Sequence, residues 1–241
     1  MMFQITQRFR QILCGLLTMI NPLVFIPSVR EIPKVIESWN KLPFDKYIVR
    51  MMLEPRAYKT GRDFFLESDY THIVIAPDDM VIDYQSFMTL VEDIEEYELS
   101  NLAGVANLDQ SDMSVYSCKP LGTDPTSKHN GTYYDAKTLP DDVIIEVGFT
   151  GFACQFIERS LVQRLSFTGG CNNGMGCMDL QFTNEMTEMG ISQFVETNTF
   201  FPHLRNMQYQ KVRAWKNRGE HTDDEGYTVF VKGGEKCPDL Q

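Results

Sequence analysis

The stretch Thr71–Asp83 (THIVIAPDDMVID) joins a run typical of a buried strand to a pair of carboxylates. The apolar run Ile73–Ala76 leads directly into Pro77, Asp78 and Asp79, and apolar residues resume immediately afterwards. Two neighbouring negative charges are costly together unless a cation lies close to them. The stretch therefore predicts either a solvent-exposed turn, in which an aspartate caps a backbone N–H, or a cation site at the end of a core strand.

Apolar periodicity on both sides of this stretch predicts alternating strands and helices. The predicted strands are Leu23–Ile26, Lys46–Met52, Thr71–Ala76, Leu102–Ala106, Val143–Val147 and Ile191–Glu196. The predicted helices are Ile32–Leu42, Thr60–Leu66, Phe87–Ile94, Ile157–Leu165 and Leu180–Met189. This order favours an α/β fold of Rossmann-like type, with a mostly parallel central sheet flanked by helices. Because ligands bind beyond the carboxyl ends of the strands in such sheets, Asp78 and Asp79 lie where a ligand is expected.

We expect this single domain to span residues 21–205. An N-terminal helical extension at 1–20 precedes it, and a C-terminal tail or extension at 206–241 follows it. The polar segment 109–142 is expected to be either a mobile loop that contacts an acceptor or a plain surface insertion.

Net charge and cysteine content exclude some classes of protein. The formal net charge of −11 repels nucleic acid and anionic lipid, which argues against a nucleic-acid partner. The six cysteines are too scattered for a disulfide scaffold, and Cys171 and Cys177 have no second pair with which to bind zinc. We therefore expect a reducing, cytoplasmic location. The apolar part of residues 1–20 is too short to span a bilayer, so a membrane contact there would be peripheral.

Three further residues extend the hypothesis of a cation site. Arg62 is either a surface arginine or a phosphate contact. Asp179, at the start of a predicted helix, is either an N-cap or a base that points into a cleft. His203, just after the last predicted strand, is either a structural histidine or a metal ligand. Mg²⁺ and Mn²⁺ are the cations that suit carboxylates and substrate phosphates.

The order of these motifs resembles that of the GT-A glycosyltransferases, a nucleotide-sugar-dependent family with a DxD-type acidic motif. The likeness covers residues 23–205 and rests on VFIPSVRE (Val24–Glu31), Gly61-Arg62-Asp63, Pro77-Asp78-Asp79, Gly148–Cys154, Met178-Asp179-Leu180 and His203. The sequence departs from the family pattern at Pro77, where the first acidic residue is missing. It departs again at Asp179, which stands alone where inverting members often carry a Glu-Asp pair.

This resemblance implies a metal-dependent, inverting glycosyltransferase that moves a sugar from a nucleoside diphosphate sugar to an acceptor hydroxyl. It implies that Asp179 is the catalytic base and that Asp79 and His203 hold Mn²⁺ or Mg²⁺. The residues that it implies in donor binding are Pro27, Ser28, Arg30, Arg62, Asp78 and Gly151. The acceptor, whether glycan, lipid or protein, stays open.

Two other classes of protein remain as alternatives. A nucleotidyltransferase shares a similar sheet and metal carboxylates, but usually has a glycine-rich basic loop near its first strand, and Ile26–Glu31 contains no glycine. A non-catalytic module that binds a sugar or a partner on a degenerate transferase scaffold would explain the departures at Pro77 and Asp179. Metal-dependent donor turnover separates the enzyme from the module.

Overall fold

The computed structural model describes residues 20–28, 30–52, 54–106, 139, 142–167 and 178–204, together with the backbone of four short strands at 114–118, 133–135, 218–222 and 228–232. The extension predicted at residues 1–20, apart from its last residue, and most of the tail at 206–241 lie outside these residues. So does most of the segment 109–142. The predictions for these three segments therefore remain predictions.

A central sheet organises the described chain. Its strands are β1 (Pro22–Ser28), β2 (Lys46–Arg50), β3 (His72–Ile75), β4 (Asn101–Val105), β7 (Ile144–Val147), β8 (Gln155–Glu158) and β9 (Gln193–Phe200). Two separate pairs of strands are β5 (Ser114–Cys118) with β6 (Tyr133–Asp135), and β10 (Arg218–Thr222) with β11 (Thr228–Lys232). The seven strands of the central sheet lie in the order β2-β1-β3-β8-β4-β9-β7.

The sheet is mixed, and five of its seven strands run in the same direction. β1 pairs in parallel with β2 and β3, and β4 pairs in parallel with β9. β8 runs antiparallel between β3 and β4, and β7 runs antiparallel along β9. The predicted α/β domain with a mostly parallel sheet is therefore confirmed, and its architecture is consistent with a Rossmann-like fold.

The helices are α1 (Pro33–Lys41), α2 (Glu54–Leu66), α3 (Tyr84–Tyr97), α4 (Arg159–Val162) and α5 (Met178–Glu188). Single residues mark two helix ends: Asp83 caps α3 by accepting the Ser86 N–H at 2.8 Å, and Gly190 follows α5 with a φ of 66°. The helix predicted at 157–165 is wrong over its first two residues, because Ile157 and Glu158 belong to β8. None of the helices in the described part of the chain is long and apolar enough to cross a bilayer.

Helices cover both faces of the sheet. α1 and α3 pack on the face that carries Val24 and Ile26, whereas α2, α4 and α5 pack on the face that carries Leu23 and Phe25. Successive residues of a strand point to opposite faces, so β1 contributes to both cores. Burial on both faces explains why the central strands appear in the sequence as uninterrupted apolar runs.

Candidate functional site

A cavity of about 300 Å³ opens at the carboxyl ends of β1 and β3. It is lined by Pro27, Arg30, Met52, Glu54, Ala57, Tyr58, Pro77, Asp78, Asp79, Met80, Gly151, Phe152, Asp179 and His203. Seven of the nine residues that the sequence nominated are among them: Pro27, Arg30, Asp78, Asp79, Gly151, Asp179 and His203. The carboxyl-end rule for α/β sheets thus located the cavity correctly.

Backbone hydrogen bonds bring Asp79 and His203 together although 124 residues separate them in sequence. Met80 forms an isolated antiparallel bridge with His203, and the Val81 N–H donates to the Pro202 carbonyl at 3.0 Å. The His203 Nε2 atom consequently lies 3.1 Å from Oδ2 of Asp79, with both side chains buried. The short apolar run after the two aspartates therefore pairs through its backbone with residues 202–203, and this pairing holds His203 beside Asp79.

Arg30 pairs with both aspartates. Its backbone N–H donates to Oδ2 of Asp78 at 2.6 Å, and its Nε donates to Oδ1 of Asp78 at 2.9 Å. The two terminal nitrogens of the guanidinium reach Oδ1 of Asp78 and Oδ2 of Asp79 at 2.7 Å each. Burial alone would lower the pKa of Arg30, but the charges of Asp79 and Asp78 outweigh it and raise that pKa above its ordinary value. The Arg30 guanidinium thus neutralises much of the negative charge of Asp78 and Asp79.

The pair of Asp79 and His203 also fits a divalent cation. A separation of 3.1 Å between Oδ2 and Nε2 is close to that of two neighbouring ligands with metal bonds of about 2.1 Å each. No group of three or more His, Cys, Asp or Glu side chains in the described ranges is arranged to hold a metal ion. Asp79 and His203 would therefore supply two ligands, and the remaining ones would come from water or phosphate, as Mg²⁺ commonly accepts.

Ser28 and Arg62 do not line the cavity. The Ser28 Oγ donates to the Arg30 carbonyl at 3.0 Å, so it supports the turn that carries Arg30. The Arg62 guanidinium donates instead to the carbonyls of Val162 and Gln163, at 3.3 Å each. Helix phase is the physical reason: Gly61 packs so closely on β1 that a Cβ there would lie 2.5 Å from a ring carbon of Phe25. The next residue is turned about 100° away and meets α4, so the structure gives no support to the predicted phosphate contact of Arg62.

The turn at Gly151 is conformationally unusual. Gly151 has a φ of 60°, and both Phe152 and Cys154 have a φ of 54° although neither is a glycine. Left-handed backbone at non-glycine residues is costly and occurs preferentially at ligand sites. Phe152 and Cys154 are both buried, and Gly151 and Phe152 line the cavity.

Asp179 lies in the first turn of α5, and its Oδ1 accepts the Leu180 N–H at 2.8 Å. Burial raises the pKa of Asp179, and its hydrogen bonds to backbone N–H groups partly offset that rise. Asp179 is the second residue of α5 and therefore not its N-cap, and its side chain lines the cavity. The field at the N-terminus of α5 also favours the ionised carboxylate, but burial outweighs it, so the pKa stays above its ordinary value.

Glu54 and Tyr58 are cavity residues that the sequence reasoning missed. Glu54 begins α2, accepts a backbone hydrogen bond from Met178 and lies near Asp179. Burial raises the pKa of Glu54 to about 7, and the charge of Asp179 adds to this rise. Burial also raises the pKa of the Tyr58 hydroxyl well above its ordinary value. A usable signal existed, since Glu54, like Asp78, is an acidic residue two positions after the end of a predicted strand.

Replacing Glu54 with glutamine should make stability less sensitive to rising pH. The wild-type carboxyl has a pKa of about 7 in the folded chain against an ordinary 4.5, so the folded state binds more protons between these values. Stability from this group therefore falls as pH rises through that window. The melting temperatures of both proteins at pH 5 and pH 8 measure the effect. Relative to the wild type, the melting temperature of the variant should be higher at pH 8 than at pH 5.

The charged groups that face Glu54 are Asp179, which raises its pKa, and Arg30, which lowers it. Glutamine retains an oxygen that accepts the Met178 N–H, so the helix contact survives the substitution. Glu188→Gln, on the exposed side of α5, is the matched control and should show the wild-type pH dependence. If the melting temperatures of Glu54→Gln and the wild type differ by the same amount at both pH values, the prediction is wrong.

No family model matches the sequence, and no curated protein matches it. Solved structures do resemble the fold. The crystal structure of A197 from STIV matches with a TM-score of 0.56 at 15% identity, covering 90% of this chain and 97% of that one. The structure of S. aureus TarS 1-349 matches with a TM-score of 0.42 at 9% identity, covering 74% of this chain and 61% of that one. The likeness to A197 concerns the fold alone, and the likeness to TarS is too distant to bear on fold or function.

Proposed function

We propose that the protein is a metal-dependent glycosyltransferase that moves a sugar from a nucleoside diphosphate sugar to an acceptor hydroxyl with inversion. One observation carries the proposal: the carboxylates of Asp79 and Asp179, the imidazole of His203 and the guanidinium of Arg30 converge on a single cavity. That cavity lies at the strand ends where α/β sheets bind nucleotides. The sequence resemblance to GT-A enzymes supports the same reading.

The chain's own residues would divide the chemistry between them. Asp79 and His203 would hold Mn²⁺ or Mg²⁺, which when bound supplies Lewis-acid stabilisation of a departing diphosphate. Arg30 would add positive charge beside the diphosphate, while Pro27 and Gly151 shape the cavity wall. No described cavity residue needs to form a covalent bond to the sugar in this scheme.

Asp179 would act as the general base. Its carboxylate would accept the proton of the acceptor hydroxyl while the hydroxyl oxygen bonds to the anomeric carbon. The bond between that carbon and the diphosphate oxygen would break, and the nucleoside diphosphate would leave with the electron pair. Attack from the face opposite the leaving group gives inversion.

Donor turnover tests the proposal directly. A panel of UDP-, GDP- and dTDP-sugars is incubated with the protein in Mn²⁺ or in chelator, and release of nucleoside diphosphate is measured. Metal-dependent release from one donor is expected. Binding without turnover of any donor would reject the enzyme and favour the non-catalytic module. Formation of a nucleotide sugar from a triphosphate and a sugar phosphate would favour the nucleotidyltransferase instead.

Asp79→Ala should abolish the metal-dependent part of donor binding, because it removes one of the two proposed metal ligands. Calorimetric titration of the accepted donor, with Mn²⁺ and with chelator, measures this loss. Asp69→Ala changes an exposed aspartate before the amino end of β3 and should leave the titration unchanged. An unchanged metal dependence in Asp79→Ala would remove Asp79 from the site.

A further inference from the structure

The Arg30 side chain contacts Oδ2 of Asp79, and the proposed metal would bind the same atom. Oδ2 of Asp79 lies 2.7 Å from a terminal nitrogen of Arg30 and 3.1 Å from Nε2 of His203. A divalent ion bound between Asp79 and His203 would therefore lie next to a guanidinium that is already paired with the same carboxylate. Two cations at this separation repel each other strongly in a partly buried site.

Charge balance shows when both cations can be present. Asp78, Asp79 and Arg30 together carry a charge of about −1, which a divalent ion would convert to about +1. A diphosphate brings at least two negative charges, so it offers the guanidinium an alternative partner and restores the balance. Arginine is well suited to such an exchange, because its planar fork binds carboxylate and phosphate oxygens in the same geometry.

The geometry also allows the exchange. The Arg30 side chain is 29% exposed and lines the cavity, whereas the side chains of Asp78 and Asp79 are 3% and 8% exposed. The arginine is thus the member of the group with room to move. Its backbone N–H holds Asp78 at 2.6 Å independently of the guanidinium, so Asp78 keeps this partner when the side chain leaves.

We propose that the Arg30 guanidinium and a divalent cation compete for Oδ2 of Asp79, and that a bound diphosphate relieves this competition by drawing the guanidinium to its own oxygens. The free protein then binds metal weakly, and metal and diphosphate strengthen each other's binding. By linkage the two effects are equal in size. This inference rests on the proposed function for the identity of the two ligands.

The test is a Mn²⁺ titration of the chelator-treated full chain without nucleotide, read from the EPR signal of free Mn²⁺. Arg30→Gln should bind Mn²⁺ about tenfold more tightly than the wild type, which corresponds to about 1.4 kcal/mol. The double variant Arg30→Gln with Asp79→Asn should lose this gain. Arg164→Gln, which removes an exposed arginine beyond α4, is the matched control and should titrate like the wild type.

Pyrophosphate provides a second measurement that does not depend on how Arg30→Gln folds. It should strengthen Mn²⁺ binding to the wild type by about tenfold, and the same mixture with Asp79→Asn measures direct chelation by the pyrophosphate. Arg30→Lys, which keeps the charge but lacks the fork, should bind Mn²⁺ with an affinity between those of the wild type and Arg30→Gln.

Wild-type binding of Mn²⁺ as tight as that of Arg30→Gln, or the absence of Mn²⁺ binding by both, would overturn the inference. Neither measurement requires turnover. If the titrations give the expected results but no donor is turned over, the proposed function alone is rejected. If a donor is turned over but Arg30→Gln binds Mn²⁺ like the wild type, only the competition is rejected.

Discussion

Asp179→Asn should lower the rate of sugar transfer by about a thousandfold while donor affinity stays within about twofold, because a general base contributes a factor of about 10² to 10⁴ to a rate. Asparagine has nearly the same shape as aspartate and cannot accept a proton at neutral pH. Its side-chain oxygen can still accept the Leu180 N–H that Asp179 accepts at 2.8 Å. The substitution therefore removes the proton acceptor and leaves the start of α5 in place.

Single-turnover kinetics with the accepted donor, together with calorimetric donor titration, measure the two effects separately. Glu188→Gln makes the same chemical change on the exposed side of α5 and should retain the wild-type rate. Because burial raises the pKa of Asp179, the wild-type rate should also fall with decreasing pH at values above the ordinary pKa of an aspartate, about 4. Retained turnover in Asp179→Asn would exclude it as the base.

The fold was largely predictable because its central strands are buried on both faces. β1 and β3 stand out as apolar runs that end in proline or acidic residues, and those ends fixed the position of the cavity. β8 was missed because Gln155–Glu158 is short and runs directly into α4, so its apolar residues looked like the start of one helix. Its antiparallel place between β3 and β4 depends on pairing with distant residues, which local periodicity does not contain.

Residues of the candidate site could be predicted where their place at the end of a strand brings them to the cavity. They could not be predicted where the orientation of a helix or an ion pair determines their position. Asp79 and His203 both follow strands, and both line the cavity at the strand ends. Arg62 follows the phase of α2, which is set by the contact of Gly61 with the sheet. The pairing of Arg30 with Asp78 and Asp79 joins residues 48 and 49 positions apart, and only the assembled sheet brings them together.

Arg159 illustrates how the sheet and the helices depend on each other outside the site. Its guanidinium donates to the carbonyls of Phe65, Ser68 and Tyr70 at 2.6–3.0 Å and lies 4.5 Å from the centre of the Phe65 ring. The last carbonyls of a helix lack partners within the helix and form the negative end of its dipole. Arg159, the first residue of α4, therefore caps α2 and the turn that leads into β3.

Arg159→Met should consequently lower the free energy of unfolding by about 3 kcal/mol, since it leaves several partly buried carbonyls without a charged donor. Urea denaturation followed by circular dichroism measures the loss. Arg159→Lys should recover only part of it, because an ammonium group cannot reach several carbonyls at once as the fork does. Arg164→Met removes an exposed arginine five residues away and should cost less than about 0.5 kcal/mol. A loss in Arg159→Met no larger than this control would show that the carboxyl end of α2 does not depend on Arg159.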